Sequence, residues 1–432
     1  MKTKNLLTLM ALPAALLLTA CFESPNNSKG PTEVTPPTTY IFLGANGQSS
    51  VDYSGQTVRN LLIADIQSFA QSPGASSYTG GAITVAGILK YYQHVDADSL
   101  SIRTSVAGGK TLLHTKYAQI ASGRSLHNKV STANVIGYGV PMDTLVRRWA
   151  AIISANSQDS AKRKTTAIYL DSNDVNVAQL ISKGLAGAVA FYQATGVYLA
   201  EVTSKDNATP VTGTNYTAME HSWDEAFGYF GAAINYSSYS DDTLNIAAAS
   251  YRDDNNDGKI DLRSEFNFSM MGRYTARRDR GLVGQDWSGD AFKAFLKGRA
   301  LISAKGTTNE IAEQRTIIAE VWEKTFASNT IAYIRNVKDI LDTISATPTL
   351  ATRTSLGGNW GELKAFAICL QYSPYKKATD AQLLQLHNWI GTKPVRDASG
   401  KAAYIAKLDS AQALVKTIYG FSDAQVSSAA WR

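Results

Sequence analysis

The sequence predicts an all-α fold, and three observations carry that expectation. Apolar residues recur at spacings of three and four through most of the chain. Alternating β-branched runs punctuated by tight hairpin turns are missing, apart from short candidates at Val130 to Tyr138 and Ala167 to Leu170. Helix-start residues stand where periodic runs begin, as in Thr379-Asp380-Ala381-Gln382 and Asp409-Ser410-Ala411-Gln412. The expected architecture is therefore a helical bundle, as one large domain or as two bundles packed together.

The elements follow in order. Val58, Leu61, Leu62, Ile66 and Phe69 define one face of a helix over Thr57 to Phe69. Met142 to Ala155, Val175 to Ala200 and Asp290 to Ala304 carry the same period. Gly184 and Gly187 either weaken the second of these or let a neighbour approach closely. The longest pattern, Glu310 to Ile344, includes Ile311, Ile318, Trp322, Phe326, Ile334, Val337 and Leu341, and predicts a core-facing helix of nearly ten turns. Leu363 to Leu370, Asp380 to Ile390 and Ser410 to Tyr419 add three more. Ser72 to Gly81, Thr203 to Thr214 and Thr352 to Gly358 read as connecting loops, rich in Gly, Ser and Thr.

The first 21 residues read as a lipoprotein signal. Lys2 and Lys4 precede an apolar run from Leu6 to Leu18, which ends in Leu18-Thr19-Ala20-Cys21. Small residues before Cys21 suit cleavage there, leaving its thiol to carry the lipid. Phe22 follows, not Asp, which favours anchoring in the bacterial outer membrane. Residues 22–39 are polar, rich in Pro, Ser, Asn and Thr, and read as a flexible tether. The folded part, 40–432, retains only Cys369, in the apolar stretch Ala365 to Leu370, where a buried thiol is expected. A formal charge of +6 with acids and bases mixed along the chain, together with export, argues against a nucleic-acid partner. The cluster Arg273, Arg277, Arg278 and Arg280 reads as a solvated helix end, or as a surface for anionic headgroups or a carboxylate-rich partner.

Two stretches carry chemistry. In Glu220 to Gly231, His221 and Glu225 lie four residues apart on one helical face, with Asp224 three from His221. One histidine among carboxylates suits iron or another divalent transition metal of hard to borderline character, although a simply hydrogen-bonded histidine has the same pattern. There is no second histidine at the metalloprotease spacing. Trp223, Phe227, Tyr229 and Phe230 fit a buried face. The second stretch, 253–265, matches a calcium loop: oxygen-bearing Asp253, Asn255, Asp257 and Asp261 at positions 1, 3, 5 and 9, Gly258 at 6, and the Lys259 carbonyl at 7. Position 12 is Ser264, so the nearest bidentate acid is Glu265. A solvated Asp/Asn/Gly turn is the competing reading.

Three blocks in order carry a resemblance: Gly47-Gln48-Ser49-Ser50-Val51-Asp52-Tyr53-Ser54-Gly55-Gln56-Thr57 within Tyr40 to Arg59; His221-Ser222-Trp223-Asp224-Glu225-Ala226-Phe227-Gly228-Tyr229; and Gly361-Glu362-Leu363-Lys364-Ala365-Phe366-Ala367 with Leu370-Gln371-Tyr372. Together they resemble the bacterial lipoprotein family called domain of unknown function 4856, across nearly the whole mature chain. More distantly, a histidine followed by an acid on a helix is similar to the imelysin-like group, helical bundles with a His-x-x-Glu motif, some described as peptidases and others linked to iron uptake. The matching positions here are His221 and Asp224, with Asp where that group has Glu. The resemblance implies a metal site of His221, Asp224, Glu225 and, if the two halves face each other, Glu362, with Asn359 nearby.

No nucleophile or complete catalytic set is marked, so binding is expected before any reaction. The expected function is an outer-membrane-anchored lipoprotein that binds a metal ion in iron acquisition, with an accessory calcium loop and an outer-membrane transport or surface protein as partner. The runner-up is a metallopeptidase with Glu225 as general base. A third reading is a cell-surface interaction protein with purely structural calcium.

Overall fold

The computed structural model describes residues 32–396 and 398–432. The expected signal segment, Cys21 and the first part of the tether lie outside these residues. The fold is all-α. Its helices are α1 (Ser54–Gln71), α2 (Val85–Tyr92), α3 (Met142–Gln158), α4 (Val177–Leu185), α5 (Leu199–Glu201), α6 (Ala218–Phe230), α7 (Asp241–Asn245), α8 (Tyr274–Asp279), α9 (Trp287–Ser303), α10 (Thr308–Thr343), α11 (Leu350–Cys369), α12 (Asp380–Ile390), α13 (Lys401–Tyr419) and α14 (Asp423–Ser427). No described helix is long and apolar enough to cross a membrane.

α10 is the spine. Its 36 residues run about 54 Å, opened by a capping box in which Thr307 and Glu310 exchange side chain and backbone N–H. It packs against α9, α11 and α13; α11 in turn packs on α4, and α4 touches α1 and α3. One continuous core joins all of these, from Tyr40 to Trp431, so the helices do not separate into independently filled bundles.

Three features depart from the sequence reading. The predicted helix Val175 to Ala200 is α4 followed by a π-helical stretch, Ala186–Tyr198, and then α5. Thr352 to Gly358, expected as a loop, lies inside α11. Gly357 serves a close approach: a Cβ there would sit 1.7 Å from the Asp174 carbonyl oxygen, and Asn176 N–H donates to the Gly357 carbonyl at 3.2 Å. Ala167 to Leu170 is no strand but the end of a 3-10 turn, Thr166–Tyr169. The named strands are instead two residues each, Thr111–Leu112 (β1) and Lys259–Ile260 (β2), paired in parallel with Thr111 opposite Lys259.

Of the two readings for the α4 glycines, close approach is the one found. A Cβ on Gly187 would lie 2.6 Å from the Cys369 sulfur, and one on Gly184 would lie 2.8 Å from Met142. Cys369 is fully buried, donates to the Lys183 carbonyl at 3.2 Å, and has its thiol pKa pushed up by burial. Folded structure also begins before Tyr40. The Thr32 backbone N–H and hydroxyl donate to the Glu310 carboxylate at 2.5 and 3.0 Å, and Val34 packs on the core.

Candidate functional site

α6 places the histidine stretch. Its N-terminus is set by Thr217, whose hydroxyl accepts the Glu220 N–H at 3.2 Å while Glu220 accepts the Thr217 N–H at 2.8 Å. Gly231 ends it at φ 73°. Trp223, Phe227, Tyr229 and Phe230 are all core, as the spacing implied. α9 crosses so closely that a Cβ on Gly298 would lie 2.0 Å from the Trp223 ring, and Trp223 Nε1 donates to the Phe295 carbonyl at 2.9 Å.

That crossing separates the proposed ligands. Asp224, wholly buried, turns toward α9 and accepts from Arg299 Nε at 3.0 Å and from the Tyr40 hydroxyl at 2.8 Å. Arg299, also wholly buried, donates through Nη1 to Glu220 at 2.7 Å and through Nη2 to the Ser50 carbonyl and hydroxyl at 3.1 and 2.9 Å. One guanidinium thereby ties the N-terminal segment, α6 and α9 together. Burial pushes the Asp224 carboxyl up to about 7 in spite of Arg299 and Tyr40. For Arg299 burial acts to lower its basicity, but Asp224, Tyr40 and Glu220 outweigh it and hold the cation above its ordinary value. Burial also acts to raise Glu220, and Arg299 together with bonds from Thr217 and Ser303 keeps that carboxyl below its usual range.

His221 and Glu225 share the other face. His221 Nε2 lies 3.9 Å from Glu225 Oε1, its ring stacks on Tyr216 at 4.5 Å and 12°, and its buried Nδ1 has no hydrogen-bond partner. Glu225 accepts from Gln56 Nε2 on α1 at 2.7 Å. The expected four-residue set is not assembled. Asp224 belongs to the Arg299 knot, and Glu362 on α11 is paired with Lys183 of α4 at 3.3 Å. Asn359 is occupied by Ser355 and Asn336. Among the described residues, no three His, Cys, Asp or Glu side chains converge in a way that could hold a metal ion.

The loop 253–265 is closed at its base by an antiparallel bridge between Tyr251 and Phe266, whose rings stack at 5.6 Å and 7°. Asp253 accepts the N–H groups of Asp257 and Gly258, both at 3.0 Å, Asn255 also accepts from Asp257 at 3.0 Å, and Asp257 accepts from Lys259 at 2.8 Å. Asn256 and Gly258 take φ of 61° and 80°, the left-handed turn that lets these side chains accept the loop's own N–H groups. Glu265 is buried and accepts the N–H groups of Asp254 and Asp261 at 3.0 and 2.8 Å. Asp261 pairs with Arg263 at 2.9 Å. The Lys110 ammonium, from the segment that leads into β1, rests on Asp253 and holds that carboxyl below its usual range.

The arginine cluster is divided, with Arg278 buried and the others half-exposed. Arg273 donates to the carbonyls of Leu244 and Asn245, Arg277 to Asn245 Oδ1, and Arg280 pairs with Asp242 at 2.7 Å. Arg278 is buried without a carboxylate: Nε and Nη2 reach Asn329 Oδ1 at 3.2 and 2.7 Å, and Nη1 reaches the Ala430 carbonyl at 2.6 Å. Burial lowers its pKa to about 10. A solvated helix end does not describe this cluster.

Sequence reading missed Arg299, Tyr40, Lys110 and Lys183. Arg299 had a signal, since it falls in register with Phe292, Phe295, Leu296 and Ile302 on the apolar stripe of its helix. Lys110 had none, because only the fold brings it to residue 253.

Fold and site together define an all-α protein whose deepest ion network braces the N-terminal segment against two helices, with an acid-rich loop at its surface. The chain belongs to the family described as a domain of unknown function, DUF4856, whose model matches residues 37–385. No curated protein and no solved structure matches the chain, so the imelysin-like resemblance has no counterpart in these comparisons.

Proposed function

We propose that the mature chain is an envelope lipoprotein, anchored in the bacterial outer membrane through Cys21, that acts as a calcium-stabilised binding protein. The observation that carries this reading is the run of hard oxygens in the tight turn 253–265, with the Lys110 ammonium resting on Asp253 as a stand-in for a cation. Asp253, Asn255, Asp257, the Lys259 carbonyl and Asp261 would hold the ion. Glu265 accepts the loop's own N–H groups and keeps the loop in shape. Calcium here would fix the β1–β2 contact and the Tyr251–Phe266 base. Isothermal titration and thermal unfolding of the purified protein test this reading. Calcium is expected to bind and to raise the melting temperature of the parent, with neither effect in Asp257→Ala. A parent that binds no calcium overturns it.

A second reading rests on the buried, unpartnered His221 Nδ1 and the nearby Glu225. This pair would supply two ligands of an iron or other transition-metal site, with the remaining ligands brought by the cargo or by an outer-membrane transport partner. Iron or zinc retained by the parent and lost in His221→Ala would support it. A peptide-cleavage assay on the metal-loaded protein then separates a carrier from a metallopeptidase.

A further inference from the structure

The flanks of the acid loop also build a pocket. Tyr251 and Phe266, stacked at the loop base, stand with Phe268 along one side of a cavity of about 390 Å³. Small residues, among them Ala64 and Ala248, keep it open, and Arg273 completes the lining. The volume falls within the range of ligand pockets, about 300–1,000 Å³. Its walls are fixed: Asn267 is fully buried, donates to the Ser250 carbonyl at 3.0 Å and accepts the Ala233 N–H at 2.7 Å, and the Tyr251 hydroxyl accepts the Ala107 N–H at 2.6 Å.

The charge in this pocket is unbalanced. Arg273 is half-buried, and its named partners are the neutral carbonyls of Leu244 and Asn245 at 2.9 and 3.1 Å. Arg277 stands one turn further on with the neutral Asn245 amide as its partner, so among the described residues neither guanidinium is hydrogen-bonded to a carboxylate. A desolvated cation without a counter-ion is costly, and an anionic group supplied from outside would relieve that cost. The aromatic and methyl surface beside it recognises something other than a bare inorganic ion.

We propose that this pocket binds a small anionic molecule with an apolar body, its charged group against Arg273 and its apolar part against the Tyr251–Phe266 stack and Phe268. The inference stands apart from calcium, because the pocket's walls are protein side chains and its charge comes from Arg273. The loop nevertheless shares Tyr251 and Phe266 with the pocket, so an ordered loop fixes one of its walls.

The probe is 4-phenylbutyrate, with 4-phenylbutylamine as its cationic counterpart, titrated calorimetrically into purified protein once with calcium and once with a calcium chelator. The acid is expected to bind saturably at one site and the amine not to compete. Arg273→Gln should weaken the acid at least tenfold. Ala248→Trp, at an exposed position in the short 3-10 turn Ala247–Ala249, should abolish binding by filling the pocket while leaving Arg273 itself unchanged. If Arg273→Gln does not fold, Ala248→Trp decides alone. Absence of saturable binding, equal competition by the amine, or binding that survives Ala248→Trp would overturn the proposal. Because binding is read with and without calcium, absence of binding in both conditions overturns this proposal and leaves the calcium reading untouched, and a parent without calcium affinity leaves this one untouched.

Discussion

Two arginines, Arg299 and Arg278, are buried to the same degree and satisfied in opposite ways. Arg299 is clamped by two carboxylates, Asp224 and Glu220, while Arg278 has only an amide oxygen and a backbone carbonyl. The first is held charged above its ordinary value, and the second is lowered to about 10 by burial. The difference teaches that a planar guanidinium can be seated in a core without a carboxylate, provided each of its nitrogens finds an oxygen. Adding carboxylates does something else: it makes each partner dependent on the others. Asp224 at about 7 is already close to losing its charge with Arg299 present.

The comparison breaks most sharply if either arginine is removed. Arg299→Met should cost roughly 3–5 kcal/mol in denaturant unfolding, because it leaves a buried carboxylate uncompensated. Arg278→Met should cost less, about 1–3 kcal/mol, because only neutral acceptors are orphaned. Equal losses in the two variants would show that the carboxylates add nothing.

Lys364 sharpens the same point through pH. It is buried, donates to the Gly391 carbonyl at 2.8 Å, lies 5.3 Å from the Tyr138 ring centroid, and has its pKa lowered to about 7 by burial. Its folded pKa is below its unfolded value, so between those values the folded state binds fewer protons than the unfolded one. Stability from this group therefore rises with pH from about 7 toward 10 and is lost as pH falls, at about 1.4 kcal/mol per unit. Lys364→Met should flatten that slope and raise stability at pH 7, which unfolding at a series of pH values would read. The smallest effect belongs to Arg280→Ala at the exposed pair with Asp242, expected within ~1 kcal/mol in the same unfolding assay.

Much of this fold was legible in the sequence. The helix Asp380–Ile390 coincides with its prediction, and α10 differs from its predicted span only at its ends, because long 3.6-residue periodicity and N-caps are local signals. The first part of α11 was not legible: Gly357 and Gly358 read as a loop, whereas the helix is capped there by Thr349 and lies at Gly357 against the 174–176 segment. The candidate site divides in the same way. His221 beside Glu225 and the hydrogen-bonded acid turn of 253–265 follow from spacing along one element. Asp224 and Glu362 went elsewhere because Arg299 and Lys183, distant in sequence, reached them first. Neither pairing has a signature in the sequence around the acid itself.

The hold of Glu310 on Thr32 sets the length of a leash. If the lipid is on Cys21, roughly eleven residues lead from it to this contact, a reach of at most ~40 Å even for fully extended chain. That is shorter than the spine helix itself, so the body would be confined to a shallow layer beside the bilayer, and a distant partner would have to come to it.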